Sequence, residues 1–175
     1  MKKTCRRLFS LLISLMLVFS MVTAAGAAVQ LGDCDFRFAN LSGGIMITKY
    51  TSNYTEIIIP EAIVGVPVTQ ISDQAFFGCN LVSVEIPVAV STIGDRAFST
   101  CSSLESFSVD ARNANYCAVD GVLFSKDMTT LVRVPNQYGK STFVVPDSVT
   151  TIGSNAFADA RGLTTITIPE GIILE

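Results

Sequence analysis

The sequence predicts a β-rich solenoid with short helices, an α/β class of repeat fold in which similar units stack along one axis. A unit of about 23 residues recurs, as between Pro146 and Pro169, and each copy combines strand patterns with turn residues. One unit offers roughly 10–20 kcal/mol of apolar burial, whereas ordering its backbone costs roughly 1–2 kcal/mol per residue. Only stacking against neighbours can therefore stabilise such a unit.

The first segment of the chain has the layout of an export signal. Residues 1–7 are basic, residues 8–22 form an apolar run, and small residues follow. The alternative is a membrane anchor, but a spanning helix needs about 20 apolar residues, and serines interrupt this shorter run. We expect residues 1–27 to be removed by cleavage near Ala27. The mature protein is then secreted or held at the cell surface, without a membrane span, and Cys34 lies too far downstream for lipid attachment.

Charge and composition exclude several functions. The chain has 12 basic and 15 acidic side chains and no His. Four of the cations lie in the first seven residues, so the mature chain keeps 8 basic against 15 acidic groups, a net charge of −7. This balance leaves no basic surface for nucleic acid. Without His there is no Ser-His or Cys-His couple and no imidazole metal ligand.

The mature chain opens with a region that departs from the repeat, residues 28–55. Residues 35–38 and 45–50 have strand patterns, and Gly43 and Gly44 form a turn between them. Terminal units of a solenoid depart from the consensus because they cap its apolar end. We therefore predict an N-terminal capping hairpin in this region and a solenoid over residues 56–175.

The repeat template reads Leu-x-x-Val-x-Ile-Pro-x-x-Val-x-x-Ile-Gly-x-x-Ala-Phe-x-x-Cys. Its Val-x-Ile alternation is typical of a strand with one buried face, and the Pro ends that strand. A second short segment follows, with two inward side chains three residues apart. Asp73, Asp95 and Ser154 precede Ala-Phe in three units, where each is a good N-cap for a one-turn helix with Phe as its core side chain.

One unit, at about residues 110–145, is longer and irregular. Residues 121–124 and 131–135 have strand patterns, and Ser125 to Thr129 form the turn of a predicted inserted hairpin. At the other end, residues 168–175 match the opening of another unit. We expect an unfinished solenoid. It is either a fragment of a longer protein or a solenoid whose last rung, meaning its last stacked unit, is open to a partner.

The multiple in-phase copies, together with the interlude Asn115-Tyr116-x-x-x-Asp120-Gly121-Val122-Leu123-Phe124-x-x-Asp127, resemble the BspA-like class of leucine-rich repeat proteins. The resemblance covers roughly residues 33–175. It implies a curved, right-handed leucine-rich-repeat solenoid with a parallel sheet on its concave side, in an exported protein. In that family the recurring roles are adhesion and the binding of host extracellular proteins.

The outward positions of the predicted concave sheet are the candidate ligand-binding residues. They form two columns of mostly short polar side chains. Concave solenoid faces present such arrays to macromolecules, although an ordinary solvated face rich in Ser and Thr is an equally good interpretation. The apolar members of the first column are the candidate anchors. The columns are Ile58, Glu85, Ser108, Val144 and Thr167, and Glu56, Ser83, Ser106, Thr142 and Thr165.

The cysteines and carboxylates have less specific patterns. Cys79 and Cys101 share one template position, so we expect inward, free thiols on adjacent rungs rather than a disulfide, because parallel side chains suit a disulfide poorly. For Cys34 and Cys117, both a disulfide between them and two free thiols remain open. The sequence lacks the C-x-x-C spacing that is typical of zinc sites, and we expect no metal or cofactor. A glycosidase-type pair of carboxylates would need a pocket that encloses both groups.

Three functions remain. The first is non-enzymatic recognition of an extracellular protein or glycan, such as a host matrix protein, in cell-surface adhesion. The second is a structural element that assembles with its own copies, through the open C-terminal rung. The third is a hydrolase without His, which the sequence favours least.

Overall fold

The computed structural model describes residues 28–31 and 34–174. The predicted export signal, residues 1–27, lies outside the described residues and stays a prediction. Across the described ranges the chain is built from strands and turns, without a helix. Those ranges accordingly contain no helix long and apolar enough to cross a membrane.

The described residues form sixteen strands, most of them two to four residues long. They are β1 Ala28–Leu31, β2 Cys34–Leu41, β3 Gly44–Tyr50, β4 Glu56–Ile58, β5 Ala62–Ile63, β6 Val66–Ile71, β7 Ser83–Ile86, β8 Thr92–Ile93, β9 Ser106–Val109, β10 Tyr116–Val119, β11 Val122–Ser125, β12 Thr130–Arg133, β13 Thr142–Val144, β14 Thr151–Ile152, β15 Thr165–Thr167 and β16 Ile173–Leu174. Each regular unit contributes two of these strands, as the template predicts.

Parallel ladders along two sides of the molecule connect the units. The first strand of each unit builds one ladder, β4-β7-β9, followed by a separate pair, β13-β15. The second strand of each unit builds another, β3-β6-β8, followed by β12-β14-β16. Equivalent residues of successive units pair in register, for example Val84 with Phe107. Stacked units that share parallel ladders define a solenoid, so the predicted solenoid is confirmed.

The predicted short helices are wrong. The segments that follow Asp73, Asp95 and Ser154 are consecutive turns. Backbone donors that a helix would use internally instead bond to the next rung: the Phe76 N–H donates to Ala97 O at 2.8 Å, and the Gly78 N–H donates to Ser99 O at 3.0 Å. Because these N–H groups donate to the neighbouring unit, they cannot also form the i to i−4 hydrogen bonds of an α-helix.

Left-handed residues and side-chain contacts also fit turns rather than helices. Gln74 and Asn155 have φ of 61° and 64°, which breaks a right-handed helix within its first turn. Asp73 does act as an acceptor, but for the neighbouring rung, because its Oδ1 accepts a hydrogen bond from the Arg96 N–H at 2.9 Å. The predicted cap is therefore a bond between units.

The N-terminal hairpin is observed, with β2 antiparallel to β3 and β1 antiparallel to β2. Strand β3 then pairs in parallel with β6, so the hairpin is joined directly to the second-strand ladder. A small antiparallel pair, β5 with β6, accommodates the extra residues of the first unit around Gly65.

The inserted hairpin is also observed, as antiparallel β11 and β12. The sequence did not predict β10, which pairs with β11 and turns the hairpin into a three-stranded meander. Strand β11 crosses the interior, and its side chains alternate between two apolar clusters. Leu123 belongs to the N-terminal cluster, whereas Val122 and Phe124 belong to the C-terminal cluster. The insertion therefore divides the core.

Candidate interaction surface

The ten predicted ligand-binding residues lie on β4, β7, β9, β13 and β15, and we call the surface they form the ladder face. Strand register aligns them as predicted: Ile58 pairs with Glu85, and Glu85 with Ser108. In the second part, Val144 pairs with Thr167. Parallel strands lie about 4.8 Å apart, so each column is a regular row of side chains.

Alternation along each strand sets which side chains reach the ladder face. In β4 and β7 the intervening Ile57 and Val84 are 3% and 0% exposed, so their neighbours must point away from the core. Ile58 and Val144 are exposed by 38% and 67%. The face thus carries two exposed branched apolar side chains together with six hydroxyl side chains and two glutamates, Glu56 and Glu85.

The ladder face is not continuous. The β10–β11 turn lies beside β9, where the Phe107 N–H donates to Gly121 O at 2.9 Å. A Cβ on Gly121 would lie 3.0 Å from the Ser106 Cβ, so the turn packs tightly on this strand. It divides the face into a three-stranded part with Glu56, Ser83 and Ser106 and a two-stranded part with Thr142 and Thr165. The repeat pattern could not show this, because the turn comes from the irregular unit.

Carboxylates of the described residues have structural partners or lie in open surroundings. Arg112 donates hydrogen bonds to Asp110, which lowers the pKa of this carboxyl to about 2, and it also pairs with Glu61 at 3.1 Å. Asp73 and Asp95 line an open depression of about 540 Å³, but both side chains are exposed and Asp73 pairs with Arg96 at 3.5 Å. The enclosed pair that a glycosidase mechanism needs is thus not formed there.

The described thiols are free, as predicted for Cys79 and Cys101. Cys101 is fully buried and its Sγ donates to Phe76 O at 3.0 Å. Burial raises the pKa of Cys101 to about 12, so this thiol is neutral and unreactive at neutral pH. Cys117 is also free, whereas the side chain of Cys34 lies outside the described part. No group of three or more Cys, Asp or Glu side chains that could hold a metal ion occurs in the described ranges.

Sequence reasoning missed one buried charged side chain. Arg133 is 4% exposed and lies at the end of β12. The Val134 N–H donates to Ala156 O of the next unit at 2.8 Å. In the regular units the equivalent bond runs from the Phe76 N–H to Ala97 O. Val134 therefore takes the place of the template Phe, and Arg133 takes the place of the template Ala. The repeat pattern carries no signal for this exchange, because the unit has two residues fewer than the template between Leu131 and the Phe position.

The family comparison agrees with the repeat architecture. The BspA type leucine-rich repeat region matches in six copies over residues 48–131 and 136–174, so the chain belongs to this family. Repeats of this family generally act as protein-interaction modules. The match leaves out residues 132–135, which contain Arg133. No curated protein shows significant similarity to the chain.

Solved structures with the same fold come from bacteria. A leucine-rich repeat protein from Eubacterium ventriosum is 18% identical, with a TM-score of 0.58 over 86% of this chain and 62% of that protein. A leucine rich cell surface protein from Faecalibacterium prausnitzii is 24% identical, with a TM-score of 0.52 over 83% and 44%. The chain thus spans less than two thirds of either protein. At these identities the likeness establishes the fold alone.

Proposed function

We propose that this protein is an exported, non-enzymatic recognition module that binds an extracellular protein through the ladder face. The observation that supports this most is the ladder face itself, two regular arrays with exposed Ile58 and Val144 among mostly short polar side chains. Its hydroxyl groups lose little conformational entropy on binding, and its apolar side chains provide contact area. A partner that spans both parts contacts the Asp120–Gly121 turn between them.

The test first captures partners from host extracellular material with the chain starting at residue 28. The affinity of a captured partner is then compared between this chain and a charge-reversed variant. Glu85→Lys with Ser108→Arg adds three positive charges at the centre of the three-stranded part. Ser106 is a poor position for Arg because Gly121 packs on it. We expect at least about a tenfold loss of affinity, since binding energy concentrates in a few central residues.

A matched control adds the same charge away from the ladder face. Gln74→Arg with Asp95→Lys changes two exposed turn residues and should leave binding within about threefold, the effect of surface changes outside an interface. If the folded ladder-face variant binds as tightly as the parent, the ladder face is not the site. The turn from Ser125 to Thr129 is then the next surface to change.

A second function, assembly with copies of the same chain, is supported by the last rung. Ile168, Ile173 and Leu174 are 47%, 62% and 72% exposed. Apolar side chains and unpaired strand edges at one end favour association. Self-assembly and partner binding are compatible, since they use different surfaces.

Export itself is part of the proposal and has a direct readout. The mature N-terminus should be Ala28 or Val29, since the layout of residues 1–27 indicates a cleaved signal. Mass spectrometry of protein from the producing cell tests this, and recovery of an intact Met1 at steady state would contradict it.

A further inference from the structure

The regular bonds between units fail at one place, between the second regular unit and the irregular unit. In the turn segments, the Tyr50 N–H bonds to Ala75 O, the Phe76 N–H to Ala97 O, and the Val134 N–H to Ala156 O. The equivalent bond from the Phe98 N–H to Arg133 O is missing from the backbone bonds of these described residues. The second-strand ladder also stops at β8 and resumes at β12.

A cleft of about 390 Å³ lies at this break. Its apolar lining includes Ile93 and Phe98 from one half of the molecule, Val132 from the other, and Leu123 from the crossing strand. The polar part consists of hydroxyl groups of Tyr116 and several Ser and Thr residues, the Asn115 amide, and the exposed carboxylate of Asp95. This size and this mixture of apolar lining with a few polar groups are typical of small-molecule sites.

Arg133 also lines the cleft, and its hydrogen bonds are incomplete. Its Nη1 donates to Asn155 O at 2.6 Å and its Nη2 donates to Asn136 Oδ1 at 3.0 Å. The buried Nε of Arg133 and Nδ2 of Asn136 have no acceptor among the described residues. Buried donors without acceptors are rare in folded proteins, and a bound water molecule or ion is one of the explanations.

The acceptor that Arg133 Nε lacks is one that a carboxylate supplies, whereas Asn136 is not among the residues that line the cleft. The two oxygens of a carboxylate match the planar, two-donor edge of a guanidinium, and the bond is strengthened by charge. None of the described acidic groups forms an ion pair with Arg133 within 4 Å. Burial lowers the pKa of this guanidinium, and Asp159 opposes the shift without an ion-pair contact. The apolar lining fits an apolar body attached to that carboxylate.

We propose that the cleft between β8 and β12 binds an amphipathic carboxylate, a small organic acid or the C-terminal residue of a peptide, with the carboxylate held by Arg133. The site is separate from the ladder face and does not depend on the function proposed for it. Ligand binding there connects the two halves of the solenoid where their regular bonds are missing.

The test uses two probes of nearly equal size and shape, the anion of N-acetylphenylalanine and its neutral primary amide. Titration is followed by NMR chemical shifts of residues around the cleft, with the chain starting at residue 28. We expect roughly millimolar affinity for the acid, as suits a ligand of about 15 heavy atoms, and binding of the amide weaker by about tenfold or more. Octapeptides ending in Phe, as free acid or amide, distinguish the sources: selective binding of the acid form points to a chain terminus, and binding of the small acid alone points to a free metabolite.

Two variants locate the site. Arg133→Met keeps the length of the side chain without its charge and should remove the preference for acid over amide. Thr130→Phe fills the cleft from β12 and should abolish binding of both probes. The matched control is Arg96→Met, which removes an equal charge from an exposed side chain outside the cleft and should keep the parent affinity.

Three results would overturn the proposal. They are no shift with either probe at ten millimolar, equal affinity for acid and amide, and an unchanged preference in folded Arg133→Met. The probe comparison is made on the unmodified chain, so it decides the matter even where a variant does not fold.

Discussion

Phe76 is a fully buried aromatic side chain in the N-terminal cluster. Its ring stacks on Phe98 with centroids 4.9 Å apart and also contacts Tyr50. We predict that Phe76→Ala lowers the free energy of unfolding by about 3–5 kcal/mol, because the cavity lies between two rungs and neither can collapse into it. Phe77→Ala, at the next and 52% exposed position, should cost less than about 1 kcal/mol. Urea denaturation measures both, and equal losses would contradict the assigned packing.

Cys101 gives the stability a predictable dependence on alkaline pH. Desolvation by burial raises its pKa from 9.0 in the unfolded reference to about 12, so the folded state binds more protons between these values. The contribution of this thiol is therefore fully present below pH 9 and is lost as pH rises towards 12.

The matched variant is Cys101→Ala, which removes the titrating group. We expect the free energy of unfolding to fall less between pH 8 and pH 10.5 in this variant than in the parent, in urea titrations under reducing conditions. An equal fall in both proteins would show that Cys101 does not carry the effect. Burial also raises the pKa of Tyr50 to about 12, so its titration lowers the free energy of unfolding of both proteins as the pH rises.

At the scale of elements, the turn segments are fixed by close contact between rungs. A Cβ added to Gly94 would lie 2.6 Å from the Asp73 Cα, in backbone that cannot yield locally. Gly153 holds the same template position in the last unit, where the nearest atom, Leu131 O, would be 3.3 Å away. The same repeat residue therefore has different packing in two units.

We predict that Gly94→Ala lowers the free energy of unfolding by roughly 1–3 kcal/mol, the usual cost of overpacking. Gly153→Ala is the control and should change stability by less than about 1 kcal/mol, since the contact is marginal and Ala restricts the unfolded chain. Thermal and urea denaturation give both values. A larger loss for Gly153→Ala would show that the rung spacing differs from that described.

The irregular unit shows where element prediction fails. Strands β11 and β12 follow from the apolar run around Leu123 and the turn residues after Ser125, and both are confirmed. Strand β10, Tyr116–Val119, is apolar throughout, so its sequence carries no strand period, and burial does not alternate along it, with three half-buried side chains and an exposed Val119. It pairs with β11 across the two-residue turn Asp120-Gly121, whose φ angles are 50° and 77°. An Asp-Gly turn is a local hairpin signal, and our prediction of the inserted hairpin did not use it.

For the whole molecule, the last rung predicts self-association. Ile168, Ile173 and Leu174 lie exposed on β16 or just after β15, beside strand edges that pair with no other described strand. We expect the mass of the chain starting at residue 28 to rise with concentration in sedimentation velocity, since pairing two such ends buries apolar area. Ile173→Glu with Leu174→Lys should abolish the rise.

The control for self-association is Val64→Glu, at an 82% exposed apolar side chain in the first unit, which should not change it. A chain that stays monomeric at millimolar concentration would contradict the prediction. Association that persists in the Ile173→Glu, Leu174→Lys variant would place the contact on another surface.

The sequence by itself determined the stacking, the register and the direction of the ladder-face side chains. These follow from the 23-residue unit, because alternation fixes which residues point inward and in-phase copies fix which residues pair, such as Val84 with Phe107. Only the tertiary structure decided that the turn segments are not helices, since Phe76 donates to the next rung and not along its own chain. It also decided the break of the ladders at the crossing β11 and the burial of Arg133 at that break. These features depend on contacts between units that differ in sequence, and a pattern repeated within each unit carries no information about such contacts.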